Sequence, residues 1–205
     1  MLSDTLLFDI KNTICLYFYD LKDVINLYNL NKNHQNNIII TNLFDIQQKY
    51  IQKLDQKIIE QNKYKYLEKL YASGNKKIKN VNHMKNTLKI LHCSWFCGIH
   101  QCGISELNLI ELYASNNKNI KNVNHMKKTL KKLDCGWNCG IDQNGISELK
   151  LIELNIDYNE KIKNVNHMKN TLKILSCYGH DYGIDHTVYL NLSELRACTI
   201  NKSEK

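Results

Sequence analysis

From residue 67 onward the apolar positions of this chain recur at a fixed spacing. A leading leucine returns as Leu67, Leu88, Leu109, Leu130, Leu151, Leu172 and, one residue early, Leu192. Three positions on come Leu70, Leu91, Leu112, Leu133, Leu154, Leu175 and Leu195. Five positions on come Ala72, Cys93, Ala114, Cys135, Ile156, Cys177 and Ala197. The alternation around the second leucine has the period of a short strand, with one face in and one face out. One such strand per unit predicts a parallel sheet whose inward residues form ladders. A single unit cannot bury its own apolar side, so its neighbours must supply the cover.

Two kinds of unit alternate. The first carries IKNVNHMKNTLK (78–89), IKNVNHMKKTLK (120–131) and IKNVNHMKNTLK (162–173), spaced 42 residues apart. The second carries GISELNLIEL (103–112) and GISELKLIEL (145–154). In the first, Ile78, Val81 and Met84 are three residues apart and recur in each copy, which predicts a 3₁₀ or short helical turn with its apolar face inward. The second reads Cys97-Gly98-Ile99 and Cys139-Gly140-Ile141, then Gly103-Ile104 and Gly145-Ile146. These glycines predict tight turns at positive φ, and a loop rather than a helix on the far side. A third copy drifts to Tyr182-Gly183-Ile184, as terminal repeats often do.

With this period and its L-x-x-L core, the stretch 63–200 resembles the leucine-rich-repeat family, in its short form with cysteine at ladder positions. The resemblance implies an α/β solenoid: a leucine-rich-repeat horseshoe with a concave parallel β-sheet, behind a small α-helical N-terminal region. It also implies a role for Asn75, Asn117 and Asn159, the eighth residue after the leading leucine. Their side-chain amides would bond the backbone of the neighbouring turn, because a buried amide left unpaired is costly. Residues 201–205 read as a frayed tail.

Residues 1–62 lack the repeat. LLFDI (6–10), TICLYFYDLKDVINLYNLNKN (13–33) and NLFDIQQKYIQKLDQKII (42–59) read as helical, the last with an apolar stripe of Leu43, Ile46, Tyr50, Ile51, Leu54 and Ile58. The segment LSDTLLFDI…ICLYFYDLKDVINLYNLNKN resembles a divergent F-box. The usual early proline and Cys-Lys-Trp end are missing. The resemblance implies docking of a Skp-type adaptor through Leu6, Leu7, Ile10, Ile14 and Phe18, and a place in a cullin-RING ubiquitin ligase. The alternative is a helical cap that only closes the solenoid.

Composition narrows the function. The net charge is +8, but there is a single arginine, Arg196, and the lysines are spread along the chain. That argues against a phosphate-reading surface, which uses arginine heavily. No apolar run approaches 18 residues, and the acidic start MLSDTLLFDIKN is unlike a secretory signal. With eight cysteines, the expectation is an intracellular, reducing, cytoplasmic setting with free thiols.

The Cys93/Cys97 and Cys135/Cys139 pairs have C-x₃-C spacing. Stacking would set Cys93 and Cys135 about 10 Å apart, too far for one tetrahedral zinc. His83, His125 and His167 repeat by duplication and suggest no triad. No catalytic motif, metal site or cofactor site is expected. The residues flanking the inward leucines should point out from the sheet. Among these and at the rim, the candidate partner contacts are Tyr71, His92, Trp95, Tyr113, Asp134, Trp137, Asn155 and Arg196. For Trp95 and Trp137, packing into the loop of their own unit is the alternative. The expected role is protein recognition without catalysis.

Overall fold

A computed structural model describes residues 42–43, 51–179 and 192–196. Its framework is one parallel sheet of eight strands, ordered in space as in sequence. The strands are β1 (Asn42–Leu43), β2 (Lys69–Tyr71), β3 (Ile90–His92), β4 (Glu111–Tyr113), β5 (Lys132–Asp134), β6 (Glu153–Asn155), β7 (Ile174–Ser176) and β8 (Glu194–Arg196). Pairing keeps the sequence register: Leu70, Leu91, Leu112, Leu133, Leu154, Leu175 and Leu195 lie side by side. From Leu70 to Leu175 these central leucines are buried, and their strand neighbours are mostly half-buried. A slip of one residue would turn every leucine to the other face, so burial pins the register.

The leading leucines from Leu67 to Leu172, the ladder from Ala72 to Cys177 and the Ile-Val-Met triplets share one continuous core. The triplets end in 3₁₀ turns at Asn82–Met84, Asn124–Met126 and Asn166–Met168. The three buried asparagines tie each unit of the first type to the one before. Asn117 Nδ2 donates to Cys93 O at 2.9 Å and Ile99 O at 3.0 Å. Asn159 repeats this on Cys135 O and Ile141 O, at 2.7 and 3.0 Å. Asn75 does so on Ile51 O and Leu54 O, at 2.6 and 3.0 Å.

Three readings of the sequence need correction. First, Asn42–Leu43 do not continue a helix over 42–59. They form β1, with Leu43 beside Leu70, while Gln56–Ile59 keep a single helical turn capped by Asp55. Pairing of the strand outweighs the helical spacing of the apolar residues. Second, the back of the second unit type is not plain loop: 3₁₀ turns form at Gln101–Gly103 and Asn144–Ile146.

Third, Gly98, Gly103, Gly140 and Gly145 do not have positive φ. They are needed for space. A Cβ on Gly140 would sit 2.4 Å from Lys118 O, and one on Gly103 would sit 2.1 Å from Lys79 O. The preceding turn of backbone passes where a side chain would be.

Two side-chain ladders were not anticipated. Gln101 Oε1 accepts from the backbone of Lys121 and Asn122, both at 2.9 Å, and its Nε2 donates to Asn122 O at 2.8 Å. Gln143 does the same to Lys163 and Asn164. The repeated histidines also hold backbone. His83, His125 and His167 place Nε2 3.2, 3.1 and 3.0 Å from the carbonyls of Ile59, Ile104 and Ile146. A carbonyl only accepts, so Nε2 is the protonated nitrogen. Among the described residues, no helix is long and apolar enough to cross a membrane.

Candidate functional site

Each strand from β2 to β8 sends its first and third side chains out from the sheet, on the face opposite the leucines. Pairing sets the third residues in one row: Tyr71, His92, Tyr113, Asp134, Asn155, Ser176 and Arg196. The row begins as an aromatic stack. Tyr71 and His92 have ring centroids 5.2 Å apart, and His92 and Tyr113 stack at 3.9 Å. Tyr113 Oη donates to Glu111 at 2.8 Å. Burial in this stack lowers the His92 pKa to about 4, against the opposing pull of Glu111. His92 is therefore neutral near pH 7 and packs as an aromatic. Burial, together with Glu111, raises the Tyr113 pKa.

Beyond the stack the row becomes acidic and polar. Asp134 accepts from Ser115 Oγ and from Gly136 N at 3.2 Å. Burial raises its carboxyl above the usual range. Asn155 Oδ1 accepts from Asp157 N at 2.9 Å. Asp157 in turn accepts from Ser176 Oγ and Tyr178 N, both at 2.8 Å. These donors fix the carboxylates in place. Arg196 lies exposed at the far end and donates to Glu194 at 2.7 Å.

The rim is built by an unusual backbone. The seventh residue after each leading leucine is left-handed in every unit from Gly74 to Gly179: Gly74, Trp95, Asn116, Trp137, Tyr158 and Gly179, with φ of 71, 53, 58, 57, 56 and 75°. This geometry continues the ladder past the strand. Trp95 N donates to Ser115 O at 3.0 Å, Asn116 N to Gly136 O at 3.1 Å, and Tyr158 N to Tyr178 O at 2.7 Å. Glycine suits such a site, and asparagine tolerates it, whereas a bulky residue there is a true outlier. Three units nevertheless carry Trp or Tyr. Trp95, Trp137 and Tyr158 are 49, 47 and 49% exposed, and Phe96, also left-handed, is 67% exposed.

Trp137 lies 6.1 Å from Trp95 and 4.6 Å from Tyr158, centroid to centroid. The tryptophans thus lie about half exposed along the rim, each beside an aromatic ring of another unit. The ring of Tyr158 covers Gly179, where a Cβ would lie 2.3 Å from it.

The candidates Tyr71, His92, Tyr113, Asp134, Asn155 and Arg196 therefore share one row, with Trp95 and Trp137 along its edge. Sequence reading missed Phe96, Tyr158 and Asp157 as part of this surface. The signal for Tyr158 was available, since it stands in the same repeat position as the tryptophans. Leu6, Leu7, Ile10, Ile14 and Phe18 lie outside the described residues.

Cys93, Cys97, Cys135 and Cys139 are buried free thiols within the core, Cys177 is buried in the same ladder, and Cys102 is exposed. Burial raises the thiol pKa of Cys97 and of Cys139 to about 11, away from reactive thiolate chemistry. Comparisons with family models, with curated proteins and with solved structures return no match to this chain.

Proposed function

We propose that this chain is a leucine-rich-repeat recognition protein that holds another protein on the outward, concave face of its sheet and performs no catalysis of its own. The observation that carries this reading is the row of exposed aromatics at left-handed positions. A non-glycine residue there costs about 1–3 kcal/mol of backbone strain. Glycine does the same backbone work at Gly74 and Gly179 without that strain. Spending stability to present Trp95, Trp137 and Tyr158 to solvent fits a binding edge, where aromatics dominate contact energy. The horseshoe reading is supported by the one-strand-per-unit register and the asparagine ladder.

The F-box resemblance of the N-terminal region gives the proposal its sharper form. There the chain is a substrate-recruiting adaptor, docking a Skp-type subunit through Leu6, Leu7, Ile10, Ile14 and Phe18. In the alternative form those residues only cap the solenoid. A pull-down of the full chain with a purified Skp-type adaptor separates the two. Capture that is lost on Leu7→Asp with an unchanged thermal melt supports the adaptor form. No capture by a folded full chain leaves the standalone module.

A further inference from the structure

We propose that the partner segment is cationic: a lysine- or arginine-bearing stretch of protein laid across β4 to β6 against the aromatic rim. This rests on the reading of that face as a protein-binding surface and specifies what it binds. The chain as a whole carries +8, yet this part of it is acidic. Glu111, Asp134 and Glu153 stand on three successive strands, and Asp157 follows just beyond β6. Lys132 is the one base in these three strands, and it is engaged with Glu153 at 3.2 Å.

Asp134 and Asp157 are held by hydroxyl and backbone N–H donors. Among the described residues neither forms an ion pair with a basic side chain. Neutral donors orient a carboxylate but leave its charge in place, and the partial burial of Asp134 makes that charge costlier to keep unpaired. The rings of Tyr113, Trp137 and Tyr158 lie along the same stretch, Trp137 and Tyr158 being about half exposed. Carboxylates beside aromatic faces are complementary to ammonium and guanidinium groups, through ion pairing and cation–π attraction together. A phosphate backbone would meet the same carboxylates and be repelled.

The test is selection of a random peptide library displayed on phage against the full chain, with counter-selection against full-chain Trp137→Ala. Enrichment of Lys- and Arg-rich peptides is the expected result. Enrichment of acidic or purely apolar peptides overturns the cationic assignment but leaves the binding face standing. If no peptide distinguishes the wild type from Trp137→Ala, both readings fall.

An enriched basic peptide is then titrated by tryptophan fluorescence, which reads this rim because the chain's two tryptophans are Trp95 and Trp137. Asp134→Asn and Asp157→Asn should each weaken binding about tenfold, and added salt should weaken it further. Both variants keep an oxygen acceptor for the local donors, and Glu111→Gln offers a further variant should either one fail to fold. Unchanged affinity in folded variants would overturn the role of these carboxylates.

Discussion

Single side chains separate what holds the sheet from what it displays. Leu112 is fully buried, while Glu111 beside it is turned outward. Replacing Leu112 with Ala should cost about 2–5 kcal/mol, as for other buried leucine truncations. Replacing Glu111 with Ala removes one half-buried hydrogen bond, from Tyr113, and should cost only about 0.5–1.5 kcal/mol. Urea melts of the two variants check this, and equal losses would mean the register is wrong.

His92 makes a pH-dependent contribution. Its pKa falls from 6.5 to about 4 on folding because burial disfavours the charged ring. Between those values the unfolded chain binds a proton that the folded chain refuses. The stability gained from neutral His92 is therefore full above about pH 6.5 and is lost as pH falls toward 4. His92→Phe should lose less stability than the wild type between pH 7 and pH 4.5, measured by denaturant midpoint. A parallel loss in both proteins would remove His92 as the cause.

The same logic extends to whole elements. The second unit type turns back under the first at Gly98 and Gly140, where the earlier turn's carbonyls occupy the space of a side chain. Gly140→Ala would push a methyl to 2.4 Å from Lys118 O and 2.5 Å from Ile120 O. The cost should be at least about 1–3 kcal/mol, because backbone on both sides must move. A thermal melt within a degree of the wild type would show that the turn has slack.

Trp137 behaves oppositely. Glycine there relieves about 1–3 kcal/mol of left-handed strain and gives up ring contacts with Tyr158 and Trp95 of about 0.5–1.5 kcal/mol each. These nearly cancel, so Trp137→Gly should keep the wild-type stability to about 1 kcal/mol while losing most affinity for a selected peptide. A large loss of stability would instead make Trp137 a structural residue.

For the molecule as a whole, the repeat that matters is the pair of units. Asn117 bonds both Cys93 O and Ile99 O in the unit before it, which is of the second type. Removing residues 109–150, one 42-residue pair, joins like to like and restores every ladder. The shortened chain should still unfold in one cooperative step, with a smaller denaturant slope for the smaller area exposed. Removing one unit, 109–129, sets two units of the second type side by side, deletes Asn117 and leaves the carbonyls of Cys93 and Ile99 without their amide donor. That chain should unfold at clearly lower denaturant. Equal stability of the two deletions would mean the alternation carries no structural information.

The period of apolar residues by itself determined the strands, their parallel order, the buried ladders and the outward row. These follow from local chemistry repeated at one spacing: the same short pattern needs the same cover each time. The asparagine positions were legible for the same reason. What tertiary structure alone decided lies where one turn of chain meets the next. The strand at Asn42–Leu43 exists because β2 offers an edge to pair with, which outweighs a helical spacing. Gly140 is required by a carbonyl some twenty residues away in sequence, and nothing in its own neighbours announces it. Likewise the left-handed backbone under Trp95, Trp137 and Tyr158 is held by hydrogen bonds to the following unit, so the aromatic rim appears only once the units are stacked.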